Sequence, residues 1–165
     1  MFTVQWFRLG GSVAHTLTGR YAYWEIMLYI NELSFKRQID LLRFISNNST
    51  LSIGVWLYPE SKVSMIAGLK VTKSSIQPVT SYYDGFKASH TELAKCTLEL
   101  LDRILLSKNE VFKNCDSIAL YSHGNSDWEV ATIGHEGMCL VKDDTLFGQL
   151  QDAGFSVSSK PPSWW

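Results

Sequence analysis

The stretch LSIGVWLYPESKVSMIAGLKV, residues 51–71, carries the clearest β pattern in the chain. Leu51, Ile53, Val55 and Leu57 alternate with Ser52, Gly54, Trp56 and Tyr58, and the alternation resumes at Val63, Met65, Ala67, Leu69 and Val71. A period of two places each apolar set on one face of a pleated strand, and Pro59 sets φ at the start of the intervening turn. The stretch predicts a β-hairpin. A hairpin of this length beside helical segments predicts a sheet covered by helices on at least one face.

Upstream, FTVQWF at residues 2–7 alternates as a short strand, broken by Gly10 and Gly11. YAYWEIMLYI at residues 21–30 reads as another strand, because its aromatics and isoleucines favour the extended chain, although its periodicity leaves a helix open. Ser34 is a candidate cap for a helix over residues 35–46, with Phe35, Ile39, Leu42 and Ile45 at helical spacing and Lys36, Arg37, Asp40 and Arg43 facing away.

Downstream, residues 72–86 hold a proline, a glycine and several hydroxyls without a sustained period, and read as a connection. Ser89-His90-Thr91-Glu92 has the form of a capping box and predicts the start of a helix lined by Leu93, Leu100 and Ile104, with Glu99 and Arg103 paired four residues apart. DSIALYS and SDWEVATIG read as strands joined at HGN, with MCLV a third across GHEG. Asp143 or Asp144 caps a short helix over TLFGQLQDA, Gly154 ends it, and FSVSS is a last strand before Pro161 and Pro162. With no repeat, charge block or low-complexity run, the expectation is one domain over residues 1–165. Its class is α+β, or mixed α/β: a mainly antiparallel sheet with hairpins, packed by about three helices.

Composition narrows the classes. The chain is 45% hydrophobic and 19% charged, the balance of a globular protein. Cys96, Cys115 and Cys139 are an odd set without C-x-x-C spacing, so neither a disulfide framework nor a four-ligand zinc site is written in the sequence, and reduced thiols are expected. Arg8 interrupts the first apolar segment, which fits a secretion signal poorly, and YWEIMLYI is too short to span a bilayer. A cytoplasmic protein without membrane contact is expected.

Charge is distributed unevenly. Residues 1–115 hold thirteen Lys and Arg against nine Asp and Glu, whereas residues 116–165 hold two against seven. An acidic C-terminal third disfavours nucleic acid as a partner, because phosphate binding needs concentrated positive charge. It suits a basic protein, whose encounter it would steer, or else it is a solvated face.

Motifs that carry chemistry are weak. His123 and His135, with Asp127 or Glu136, form a two-His, one-carboxylate set if the strands bring them together, which would make a small metal-dependent hydrolase. The spacing lacks H-E-x-x-H. Ser122 has no nucleophile elbow, and Cys139 lies in an apolar run that favours a packed thiol. LGG at residues 9–11 is too sparse to cradle phosphate, so no cofactor is expected. His15 and His90 read as structural or solvated. Trp164 and Trp165 either close the protein's own core or anchor an interface.

In size, in its acidic C-terminal third, SDWEVATIGHEGMCLVKDDTLFGQLQDAGFSVSSKPPSWW, and in its lack of a catalytic motif, the chain resembles the small bacterial immunity proteins of contact-dependent growth-inhibition and polymorphic toxin systems. The resemblance is one of type and carries no shared motif. It implies a non-enzymatic protein that binds a cognate toxin domain, often a nuclease. Asp127, Glu129, Glu136, Asp143 and Asp144, with Trp164 and Trp165, are the residues such a contact would use. A structural or assembly subunit, packing through its aromatic tail, is a third expectation.

Overall fold

The computed structural model describes residues 27–47, 50–73, 76, 79, 89–122 and 124–163. The expected strand at residues 2–7, the first part of that at 21–30, most of the 72–86 connection, His15, His123, Trp164 and Trp165 lie outside them.

Among the described residues ten strands make one sheet: β1 (Leu28–Asn31), β2 (Leu51–Leu57), β3 (Met65–Ile66), β4 (Leu69–Thr72), β5 (His90–Thr91), β6 (Ala94–Lys95), β7 (Cys115–Ser122), β8 (Trp128–Ile133), β9 (Met138–Val141) and β10 (Val157–Ser158). Their order is β10-β1-β9-β8-β7-β2-β5-β4-β3, with β6 also on β2, and every pairing among the described strands is antiparallel. Among the described residues four helices accompany it: α1 (Phe35–Ser46), α2 (Leu98–Leu106), α3 (Lys108–Asn114) and α4 (Phe147–Asp152). The fold is α+β with a mainly antiparallel sheet, as the sequence predicts, and the described residues hold four helices where about three are expected.

Alternation along the central strands builds two cores. Ile53, Val55, Ile118, Leu120, Val130, Cys139 and Val141 point to one side, where they meet Ile39, Leu42, Leu101, Ile104, Val111 and Leu150 from the four helices. Trp56, Ala119, Tyr121, Ala131 and Leu140 point to the other, where Val79 is buried among them. Ser117 donates its hydroxyl to the Val79 carbonyl there. The second core also holds a polar pair, because Trp56 Nε1 donates to Tyr121 Oη at 2.8 Å and both rings are buried. That bond removes the cost of an unsatisfied indole N–H.

The α1 boundaries fall where the sequence places them, yet Ser34 caps only by position: its side chain makes no capping bond. Arg43 ties this helix to α2 by reaching both Asp40 and Asp102.

The hairpin expected over residues 51–71 does not form. β2 and β4 are separated in the sheet by β5, and residues 65–72 fold on themselves instead, turning at Ala67 (φ 47°) and Gly68 (φ 80°). Two consecutive left-handed residues give a two-residue hairpin turn whose twist matches that of the flanking strands. The Arg103 guanidinium lies along this turn, 3.4 Å from where a Cβ on Gly68 would stand, and no Glu99–Arg103 ion pair forms among the described residues.

The capping box at residues 89–92 is also overturned. His90 and Thr91 are strand β5, with His90 opposite Trp56, and Thr91 uses its hydroxyl to accept from Val55 N at 3.1 Å. Leu93 then crosses over Gly54, where a Cβ would stand 2.8 Å from Leu93 Cδ2. The helix begins only at Leu98, and its cap is Thr97, whose side chain accepts from Leu100 N at 3.2 Å. Thr97→Ala is therefore expected to cost about 1 kcal/mol in urea unfolding, the usual value of a lost N-cap. Ser89→Ala, at the position of the false box, should cost clearly less, and equal losses at the two sites would contradict this assignment.

No helix among the described residues is long and apolar enough to cross a membrane.

Candidate functional site

The β7–β8 connection and the segment after β9 meet at one end of the sheet. Asp127 arrives there just before β8 and Glu129 within it, and Lys142, Asp143 and Asp144 from beyond β9, because Val130 pairs with Val141 and Lys142 N donates to Glu129 O at 2.9 Å. Four of the five acidic residues expected at a contact are thus gathered. Glu136 is not among them: it sits in the 3-10 turn Gly134–Glu136 that joins β8 to β9 at the opposite end.

The same geometry separates two residues of the expected metal set, Asp127 and His135. His135 lies in that far turn and Asp127 just before β8, so the six residues Trp128–Ile133 stand between them. At ~3.3 Å per residue that is about 20 Å of extended strand, several times a metal–ligand bond. Asp127 and His135 do not share a site, and no group of three potential ligands occurs among the described residues.

A bulge decides where Glu129 points. Leu120 pairs with Val130 and Tyr121 with Trp128, so Glu129 is the extra residue on β8. Bulges commonly re-aim a side chain. Here Glu129 accepts from the Ser122 hydroxyl at 2.7 Å and faces a cleft of about 360 Å³ on the helical side of the sheet. Half-buried Phe44, Ile45 and Leu146 give the cleft its apolar surface, with buried Leu51, Val130 and Val141 beneath it. Its polar groups are Ser122, Glu129, Asp143 and Gln149. Asp143 is held as the cap of the turn Asp144–Leu146, accepting from Thr145 N at 3.0 Å.

Neutralisation is uneven. Lys142 Nζ lies 2.7 Å from Asp127 Oδ1 and 4.6 Å above the Trp128 ring, so Asp127 is already paired. Glu129 and Asp143 have no ion-pair partner among the described residues. The acidic residues separate accordingly into a balanced one beside Trp128 and two that leave the cleft negative.

The other candidate groups are packed. Burial raises the Cys139 thiol, and it pushes the Cys115 thiol up to about 12 with help from Glu110 and Asp116. Burial also raises Cys96, against a hydrogen bond from Ser46. These are core thiols, unsuited to act as thiolates at neutral pH. His90, expected at a helix start, is buried against Trp56 with ring centroids 4.7 Å apart, and burial holds its pKa below the usual value.

Phe44, Ile45, Leu146 and Gln149 were not readable as cleft residues. They stand on α1, the Asp144–Leu146 turn and α4, and no pattern along the chain connects those elements to the bulge on β8. No protein-family model matches this chain, and no curated protein or solved structure matches it either.

Proposed function

We propose that this chain is an immunity protein: it binds one cognate toxin domain and neutralises it without catalysis, using the acidic end of the sheet. The observation that supports this reading is the gathering of Asp127, Glu129, Asp143 and Asp144 from separate segments at one end of β7, β8 and β9. Charge concentrated in this way accelerates encounter with a basic partner and disfavours acidic ones. A nuclease domain, with a cleft built to hold phosphates, is the toxin type whose charge best complements it.

The test is a calorimetric titration of the purified protein with the product of the gene immediately upstream of its own, at low and at high salt. Tight binding that weakens about tenfold or more between about 0.05 and 0.5 M salt is expected, since screening lengths shrink over that range. Absence of binding at low salt would sink the proposal.

A further inference from the structure

We infer that the cleft beside the β8 bulge is a socket for a single lysine or arginine side chain of the partner, its aliphatic stem lying on Phe44, Ile45 and Leu146 and its cationic head between Glu129 and Asp143. This rests on the reading above for the identity of the partner, but the chemistry of the socket follows from the cleft itself.

Size is the first constraint. A volume of about 360 Å³ is at the low end of ligand pockets, which run from about 300 to 1,000 Å³. It has room for one long side chain together with several water molecules. Polarity is the second: the interior is aliphatic and aromatic, with Glu129 and Asp143 among its polar groups, and these carboxylates have no ion pair among the described residues. An apolar stem ending in a positive charge matches that division, as lysine and arginine side chains do when they bury their methylenes and keep the head among polar groups.

Preorganisation is the third. The bulge directs Glu129 into the cleft and the Ser122 hydroxyl fixes one of its oxygens, while Asp143 is fixed by its capping bond to Thr145 N. Each carboxylate keeps an oxygen for a charge-assisted bond, and holding it in place beforehand reduces the ordering cost of binding.

The experiment has two arms. In the first, n-butylguanidinium and n-butylammonium are titrated into the labelled protein and followed by NMR, with n-butanol as the uncharged control. The cations should saturate shifts at Leu51, Val130, Val141 and Leu146 at about 1–10 mM, as befits so few non-hydrogen atoms, while butanol should not. Glu129→Gln with Asp143→Asn, which keeps the Ser122 and Thr145 contacts, should weaken the cations about tenfold or more. Cation shifts that are absent, or equal in this double variant, overturn the socket.

In the second arm the upstream gene product is titrated into wild type and the double variant. A loss of about tenfold to a hundredfold in affinity is expected, with unchanged circular dichroism. Undiminished affinity overturns the socket and leaves the immunity reading standing. A wild-type protein that takes up the cations yet fails to bind the gene product overturns the immunity reading, and the first arm alone then supports a cation socket.

Discussion

Leu120→Ala lowers the free energy of unfolding by about 2 to 5 kcal/mol, the range for leucine truncation in a packed core. Leu120 is fully buried in β7, between Ile53 of β2 and Val130 of β8, and projects into the core beneath the helices. Its strand is hydrogen-bonded on both sides, so the backbone has little freedom to collapse into the space left behind. Against a total stability on the order of 5–15 kcal/mol, that loss is a large fraction. Urea unfolding measures it, with Leu106→Ala as the comparison. Leu106 is 89% exposed at the end of α2, and its truncation should fall within about 0.5 kcal/mol of zero. Similar losses at the two positions would mean that the core beneath the helices has been placed wrongly.

Gly137→Ala is expected to cost about 2 to 5 kcal/mol, for two separable reasons. Gly137 has φ 63°, a left-handed conformation that costs an L-residue about 1–2 kcal/mol. A Cβ there would also stand 2.5 Å from Leu33 Cδ2 and 3.1 Å from Leu33 Cα. The exposed Leu33 side chain has room to swing aside, but its Cα follows Glu32, whose N–H donates to the Gly137 carbonyl at 2.8 Å. Relief therefore strains the link between β1 and the β8–β9 turn, an overpacking cost of about 1–3 kcal/mol. Gly124→Ala isolates the first contribution, since Gly124 has φ 77° with nothing within 4 Å of its would-be Cβ. Thermal unfolding of both variants checks this, and a Gly137→Ala loss no larger than that of Gly124→Ala would remove the steric part.

Much of this architecture is legible along the chain, and the gaps have physical causes. Alternation identified β2, β7, β8 and β9 because each is central, with one face against the helices and the other against a second core. Alternation says nothing about the neighbour, however, so the run from Val63 to Val71 reads as the partner of β2, whereas β5 and β6 hold that edge. The S-x-x-E pattern at residues 89–92 failed because Thr91 supplies its hydroxyl to Val55 N and serves the sheet. α3 was missed since Val111 and Asn114 are its buried residues, too few to show a helical period over seven positions.

At the candidate site, the acidic residues were visible as composition, but their division was not. Lys142 neutralises Asp127 and a one-residue slip sends Glu129 to the other face, and both depend on pairing between strands. The placement of Glu136 at the opposite end follows from the length of β8, which a sequence-based strand boundary already contained. His123, Trp164 and Trp165 lie outside the described residues, so their expected roles rest on the sequence alone.

The location of β1 has a consequence in time. Leu28–Asn31 pairs with Met138–Val141 on one side and with Val157–Ser158 on the other, a sequence separation of more than a hundred residues. During synthesis, at about 5–20 residues per second, β1 waits on the order of ten seconds for its partners to emerge. More than a hundred residues must thus be made after β1 before this flank of the sheet is able to close, and closure over so long a separation slows folding. The half-made sheet is the state in which chaperones would meet it, with Leu28 and Ile30 still looking for their neighbours.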